Sequence, residues 1–158
     1  QRQRILSFLN PQLDPQGSSY QVIQSIIAIG SGGLFGRGLG MGTQTQLRYL
    51  PVSETDFIIS VIGEELGFIG IIVILKLFLF FLYWMLRYAS SINNKFYRLV
   101  ISGISFIFFI HIIINCGMCI GILPVTGLPM PLLSYGGSFL LSILFMLGVS
   151  NKIINSYL

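Results

Sequence analysis

Residues 66–86 read L-G-F-I-G-I-I-V-I-L-K-L-F-L-F-F-L-Y-W-M-L, an apolar run interrupted only by Lys76. About 20 such residues cross a ~30 Å hydrocarbon layer as a helix. A segment in lipid must satisfy its own backbone polar groups, so the run predicts a membrane-spanning α-helix. The apolar pattern begins upstream near Phe57, which sets the span at 57–87 and leaves its first turns partly outside the lipid. Two further apolar stretches predict spans at 99–117 and 138–154. The expected fold class is an all-α, polytopic membrane protein with about three transmembrane helices.

Composition agrees with that reading. The 158 residues are 54% hydrophobic and 9% charged, with a mean hydropathy of +0.84. Soluble domains carry about 25% charged residues, so a water-soluble enzyme, a disordered tail and a nucleic-acid module are all excluded as classes. The nine basic residues are scattered and form no stripe for nucleic acid. Instead they report orientation. Arg87, Lys95 and Arg98 occupy the short connection 87–98 without an acid, and Lys152 ends the third span. Lys and Arg favour the cytoplasmic side, so residues 1–56 and 120–137 are expected on the outer face. The chain begins at Gln1 with no charged leader and cleavage site, and is expected to be part of a longer protein.

Residues 1–56 form more than a linker. Asn10-Pro11 and Asp14-Pro15-Gln16-Gly17 mark turns. Val22, Ile23, Ile26, Ile27 and Ile29 approximate one helical face, ahead of a glycine-dense run from Gly30 to Gly42. A short amphipathic or re-entrant helix at the membrane surface is expected, then a loop with unusual backbone angles. The run lacks the spacing and β-α context of a nucleotide cradle. The outer segment 120–137 contains I-L-P-V-T-G-L-P-M-P-L-L-S-Y-G-G, whose prolines and glycines forbid a continuous helix. Broken backbone at membrane depth is tolerated where protein or a watery cavity covers it. Cys116 and Cys119 share a helix face in an apolar run and read as packing, since a zinc site needs four ligands.

Three of the five acids, Asp56, Glu64 and Glu65, gather at the start of the first span. Asp56 has two readings. It caps or compensates the helix N-terminus together with Thr55, or it accepts a proton from a substrate hydroxyl at the water–lipid boundary. Glu64 and Glu65 lie about 12 Å deeper by helical rise, in or near the membrane, where an acid marks function or pairs with an absent part of the protein. Gly63, Gly67 and Gly70 would permit close helix packing there. Arg37 and Arg48 either hold phosphate oxygens or solvate an outer loop. Lys76 falls mid-span if the helix crosses at 66–86 but nearer the inner interface if it starts at 57, and suggests a partner in an absent helix. His111 reads as hydrogen-bonded structure, and Asn115 and Ser134 as polar groups that join helices.

Taken together, several stretches resemble one family. R-I-L-S-F-L-N-P-Q-L-D-P at 4–15, Y-Q-V-I-Q-S-I-I-A-I-G-S-G-G-L-F-G-R-G at 20–38, L-P-V-S-E-T-D-F-I at 50–58, G-E-E-L-G-F-I-G at 63–70 and I-L-P-V-T-G-L-P-M-P-L-L-S-Y-G-G-S at 122–138 look like the shape, elongation, division and sporulation (SEDS) proteins, the RodA/FtsW/SpoVE family. The likeness runs in order over essentially the whole chain. Members have about ten spans, and this sequence resembles the carboxy-terminal part.

The resemblance implies a peptidoglycan glycosyltransferase in a bacterial (or bacterium-derived organelle) cytoplasmic membrane. It would polymerise lipid II into glycan strands on the outer face, beside a class B penicillin-binding protein within an elongation or division complex. Asp56 matches the family's essential carboxylate in L-P-E-x-H-T-D-F, although Val52 replaces the usual glutamate and Glu54 the usual histidine or glutamine. Arg37 matches a basic position, and Arg48 with it would offset pyrophosphate charge. Ser134 is expected near substrate, and no cofactor is expected beyond a divalent cation such as Mg or Mn. G-T-Q-T-Q at 42–46 and N-C-G-M-C-I-G-I-L-P-V-T-G at 115–127 look like the elongation branch, which is favoured. The opening motif and G-L-F-G-R-G-L-G also suit division members. A lipid II flippase and a non-catalytic scaffold are the alternatives. These 158 residues alone are expected to be inactive.

Overall fold

The computed structural model describes residues 17–42 and 55–157. The described residues form four helices: α1, Ser18–Gly32; α2, Ile58–Ser91; α3, Lys95–Cys119; and α4, Gly137–Tyr157. No strand occurs among the described residues. The last three helices are long and apolar enough to cross a membrane. The turns expected at Asn10-Pro11 and Asp14-Pro15-Gln16 lie outside the described residues.

Helices α2 and α3 both overrun the apolar stretches that announce them. The connection is only Ile92 to Asn94, where the Asn94 side chain caps α3 by accepting from the Phe96 amide at 3.0 Å. Arg87, Lys95 and Arg98 therefore lie on helix ends rather than in a loop. Arg87 stands over the Trp84 ring at 5.2 Å, a cation–π contact. Along α2 and α3 the seam is built from Phe78, Leu82, Met85 and Ala89 against Ile101, Ile104 and Phe108, all buried. The Phe81 and Phe108 rings meet at 5.8 Å. α4 adds Ile143 and Ile153 to the core, and Tyr157 meets Tyr97 with ring centroids 4.6 Å apart.

Helix α2 is interrupted at Gly67, with φ 71 and ψ −170. That region is open essentially to glycine alone. Continuous helix would send the amides of Phe68 and Ile69 to the carbonyls of Glu64 and Glu65. Instead they reach Gly33 O at 2.9 Å and Leu34 O at 3.2 Å, while Glu64 O and Glu65 O accept from the amides of Arg37 and Gly38, both at 3.0 Å. The glycine-dense loop thus fills the break. Gly36 and Gly67 face each other so closely that a Cβ on either would strike the other's backbone. From Phe68 to Arg87 the helix has the ~30 Å length of a hydrocarbon crossing, and the break falls where that crossing begins.

The close packing expected of Gly63, Gly67 and Gly70 holds only in part. Gly63 abuts Gly32 and Ile29 of α1, Gly67 makes the break, and Gly70 faces Leu66 of its own helix.

α1 runs in the same direction as the start of α2. Ser25 meets Ser60 with the hydroxyls 2.5 Å apart, Gly32 lies on Gly63 and Gly36 on Gly67. α1 thus packs parallel to the start of α2. Of its isoleucines, Ile29 packs against the core, but the others point away from it. Ile23, Ile26 and Ile27 are exposed, and the small residues Ser19, Ser25, Ala28 and Gly32 are buried. Small residues let the backbones approach, which is how helices pack when the surroundings are as apolar as the side chains.

Candidate active site

Asp56 sits in the turn Thr55–Phe57 that leads into α2, half-buried beside the buried Phe57. The N-cap position falls on Phe57, whose side chain makes no cap hydrogen bond, so Asp56 stands one residue before the cap, where its charge still complements the helix N-terminus.

The turn is held by its carbonyls. Ser134 donates its hydroxyl to Thr55 O at 2.5 Å and accepts from the Met130 amide at 2.8 Å. Asn115, fully buried in α3, donates from Nδ2 to Asp56 O and to Leu128 O, each at 2.9 Å. His111, one turn earlier on the same helix, bonds Pro129 O through Nδ1 at 3.1 Å. A carbonyl only accepts, so that nitrogen carries the proton. Its ring also stacks on Phe139 of α4 at 5.2 Å. The broken segment 120–136 is thereby fixed to α3 and clamps the aspartate turn. Val125, Met130, Pro131 and Ser134 in it are buried, and Leu132 takes φ 64, an uncommon angle for a branched side chain, just before Ser134. Ser134, expected among the substrate-binding residues, is buried with its hydroxyl bonded to the turn and to the Met130 amide.

Glu64 and Glu65 belong to the glycine loop. Glu64 is fully buried and lies so close under Gly42 that a Cβ there would come within 2.7 Å of Oε2. Glu65 Oε1 accepts from the Gly40 amide at 3.1 Å. These acids find partners within the chain, an outcome outside the two alternatives stated for them, function or pairing with an absent part of the protein, and one that relieves the cost of charge near lipid. Arg37 is exposed in the same loop, its Nε donating to Ser31 O at 3.1 Å. Two patches result, the aspartate turn and the Arg37 loop, about 12 Å apart along α2 by helical rise. Arg48, Val52 and Glu54 lie outside the described residues.

A buried hydroxyl pair links three elements: Ser25 bonds Ser60 and also donates to Cys119 O at 2.6 Å. Cys116 and Cys119 are free thiols, in keeping with a packing role. Among the described residues no three His, Cys, Asp or Glu side chains gather to hold a metal ion.

These observations describe a helical membrane protein with one carboxylate turn clamped by its main chain at the end of its longest helix. The family model described as "Cell cycle protein", covering FtsW, RodA and SpoVE, matches residues 1–156. The chain belongs to that family. It is 46% identical over 149 residues to the peptidoglycan glycosyltransferase MrdB of Escherichia coli K12, covering 94% of this chain and 40% of MrdB. It is 47% identical over 146 residues to stage V sporulation protein E of Bacillus subtilis, covering 92% of this chain and 40% of that protein. A probable peptidoglycan glycosyltransferase FtsW of Trichlorobacter lovleyi is 49% identical over 146 residues, with 92% and 38% covered. The structure is also similar to a chain of a solved peptidoglycan synthase complex, with a TM-score of 0.75 at 35% identity over 99% of this chain and 42% of that one. The chain spans about two fifths of the length of these relatives.

Proposed function

We propose that this chain is the carboxy-terminal part of a peptidoglycan glycosyltransferase and that Asp56 is its general base. The observation that carries the reading is the carbonyl clamp, in which Ser134 of the segment 120–136 and Asn115 of α3 fix the turn bearing Asp56. A base must be held within hydrogen-bond reach of the proton it takes. In the reaction, the acceptor GlcNAc 4-hydroxyl attacks the anomeric carbon of the donor MurNAc. Its proton passes to the Asp56 carboxylate, the new C–O bond forms, and the bond to undecaprenyl pyrophosphate breaks with its electron pair on the departing pyrophosphate. A single displacement inverts the α-linked lipid II precursor to a β-1,4 glycan. Arg37, exposed on its glycine loop, and Arg48 offset the charge that develops on the leaving group.

The cations support an outward-facing Asp56. Lys95 and Arg98 stand at the N-terminal end of α3, where the helix dipole disfavours them, so they are better accounted for by membrane orientation. The solved relative's place in a synthase complex supports a class B penicillin-binding partner. The motifs at 42–46 and 115–127 favour elongation over division, and depletion should give spherical cells rather than filaments. With Glu64 and Glu65 tied into the loop, the acids that motivated a flippase are accounted for within the chain. The test is polymerisation of lipid II in detergent by the complete parent protein with its partner. Asp56→Asn and Asp56→Ala, folding verified by melting, should abolish glycan chains; a retained rate removes the proposal.

A further inference from the structure

Opposite its buried seam, α2 presents a continuous exposed stripe of Ile69, Val73, Lys76, Leu77, Phe80 and Tyr83. Every member but one suits lipid. Lys76 lies nine residues beyond the break at Gly67 and eleven before Arg87, or about 14 Å and 17 Å by a ~1.5 Å rise, close to the middle of a hydrocarbon crossing. A lysine stem reaches roughly 6 Å and snorkels to the interface only from near a helix end. At this depth the ammonium reaches neither headgroup phosphate nor water.

We infer that a second membrane helix covers this stripe and sets a carboxylate against Lys76. The helix comes from the part of the family architecture outside these 158 residues. Charge complementarity and chain length argue for that occupant. A second copy of this chain offers no acid at that depth, because its five acids are Asp14, Glu54, Asp56, Glu64 and Glu65, and the membrane-crossing parts of α2, α3 and α4 have none. Two copies meeting here would oppose ammonium to ammonium. The relatives it matches are about two and a half times as long, and that additional length is the source of further helices. The inference rests on family membership, and it stands or falls independently of Asp56 chemistry.

The sign of one substitution separates the outcomes. In the full-length protein in nanodiscs, Lys76→Leu removes an intramembrane charge. If Lys76 faces lipid, the melting temperature rises or holds. If Lys76 is paired, it falls, because a carboxylate is left buried without its cation, while Lys76→Arg keeps most of the stability. Each membrane Asp and Glu of the same polypeptide is then changed in turn to Asn or Gln in the Lys76→Leu background, and one of them should restore folding and melting. This arm remains readable even if Lys76→Leu alone does not accumulate. Unchanged or increased stability of Lys76→Leu overturns the inference, as does a loss that no carboxylate substitution in the same polypeptide repairs.

Discussion

Gly67→Ala tests the hydrogen-bond exchange at the break in α2. Alanine cannot hold φ 71 with ψ −170, a region open essentially to glycine alone, and its methyl group would press on Gly36 and Leu34 backbone. The chain escapes by straightening. Phe68 and Ile69 then return their amides to Glu64 and Glu65 in ordinary helical fashion, regaining two bonds, while the four bonds to the loop are lost. The net deficit of two, at about 1 kcal/mol each, is about 2 kcal/mol, or roughly a 30-fold rise in opening of the loop. Hydrogen exchange measured residue by residue reads this directly. The amides of Arg37 and Gly38 should exchange roughly 30-fold faster, while those of Phe68 and Ile69 stay protected because they have changed partners rather than lost them. If Arg37 and Gly38 exchange as in the parent, or if all four amides lose protection together, the exchange does not hold the loop.

Asn115→Leu should leave the Asp56 and Leu128 carbonyls without donors, costing about 3 kcal/mol in a melting experiment on the full-length protein, and should lower the polymerisation rate more than substrate affinity. Ser25→Ala removes the hydroxyl that joins Ser60 to the Cys119 carbonyl, at about 1 kcal/mol by the same assay, with polymerisation retained. Gly103→Ala is the control: a Cβ there meets open space, so helix propensity should raise stability by up to about 1 kcal/mol.

The membrane helices were legible because length alone decides them; runs of about 20 apolar residues have few other fates. Their ends were not. Hydropathy stops at Arg87 and resumes near Leu99, whereas backbone hydrogen bonding continues until Asn94 caps the next helix. Asp56 was singled out by its motif, and the helix preceding the glycine loop was legible through its punctuation. The break at Gly67 was hidden, since L-G-F-I-G is ordinary in a membrane helix and its meaning depends on Gly36, far away in sequence. For α1 the isoleucine periodicity announced a helical face, but period alone cannot say whether lipid or protein lies beyond it. Asn115 and Ser134 were recognised as polar joiners, but what they join is a pair of carbonyls, and a carbonyl leaves no mark in a sequence.

That the clamp grips main chain has a practical corollary for genetics at this position. Ser134 and Asn115 hold Thr55 and Asp56 by atoms that every amino acid possesses. A substitution at 56 alters the carboxylate proposed as the base and leaves both handles in place, whereas a substitution at 115 or 134 releases the handles and leaves that carboxylate intact. Chemistry and architecture can therefore be mutated separately within one turn, and a double variant such as Asp56→Asn with Asn115→Leu should add their stability effects but not their kinetic ones.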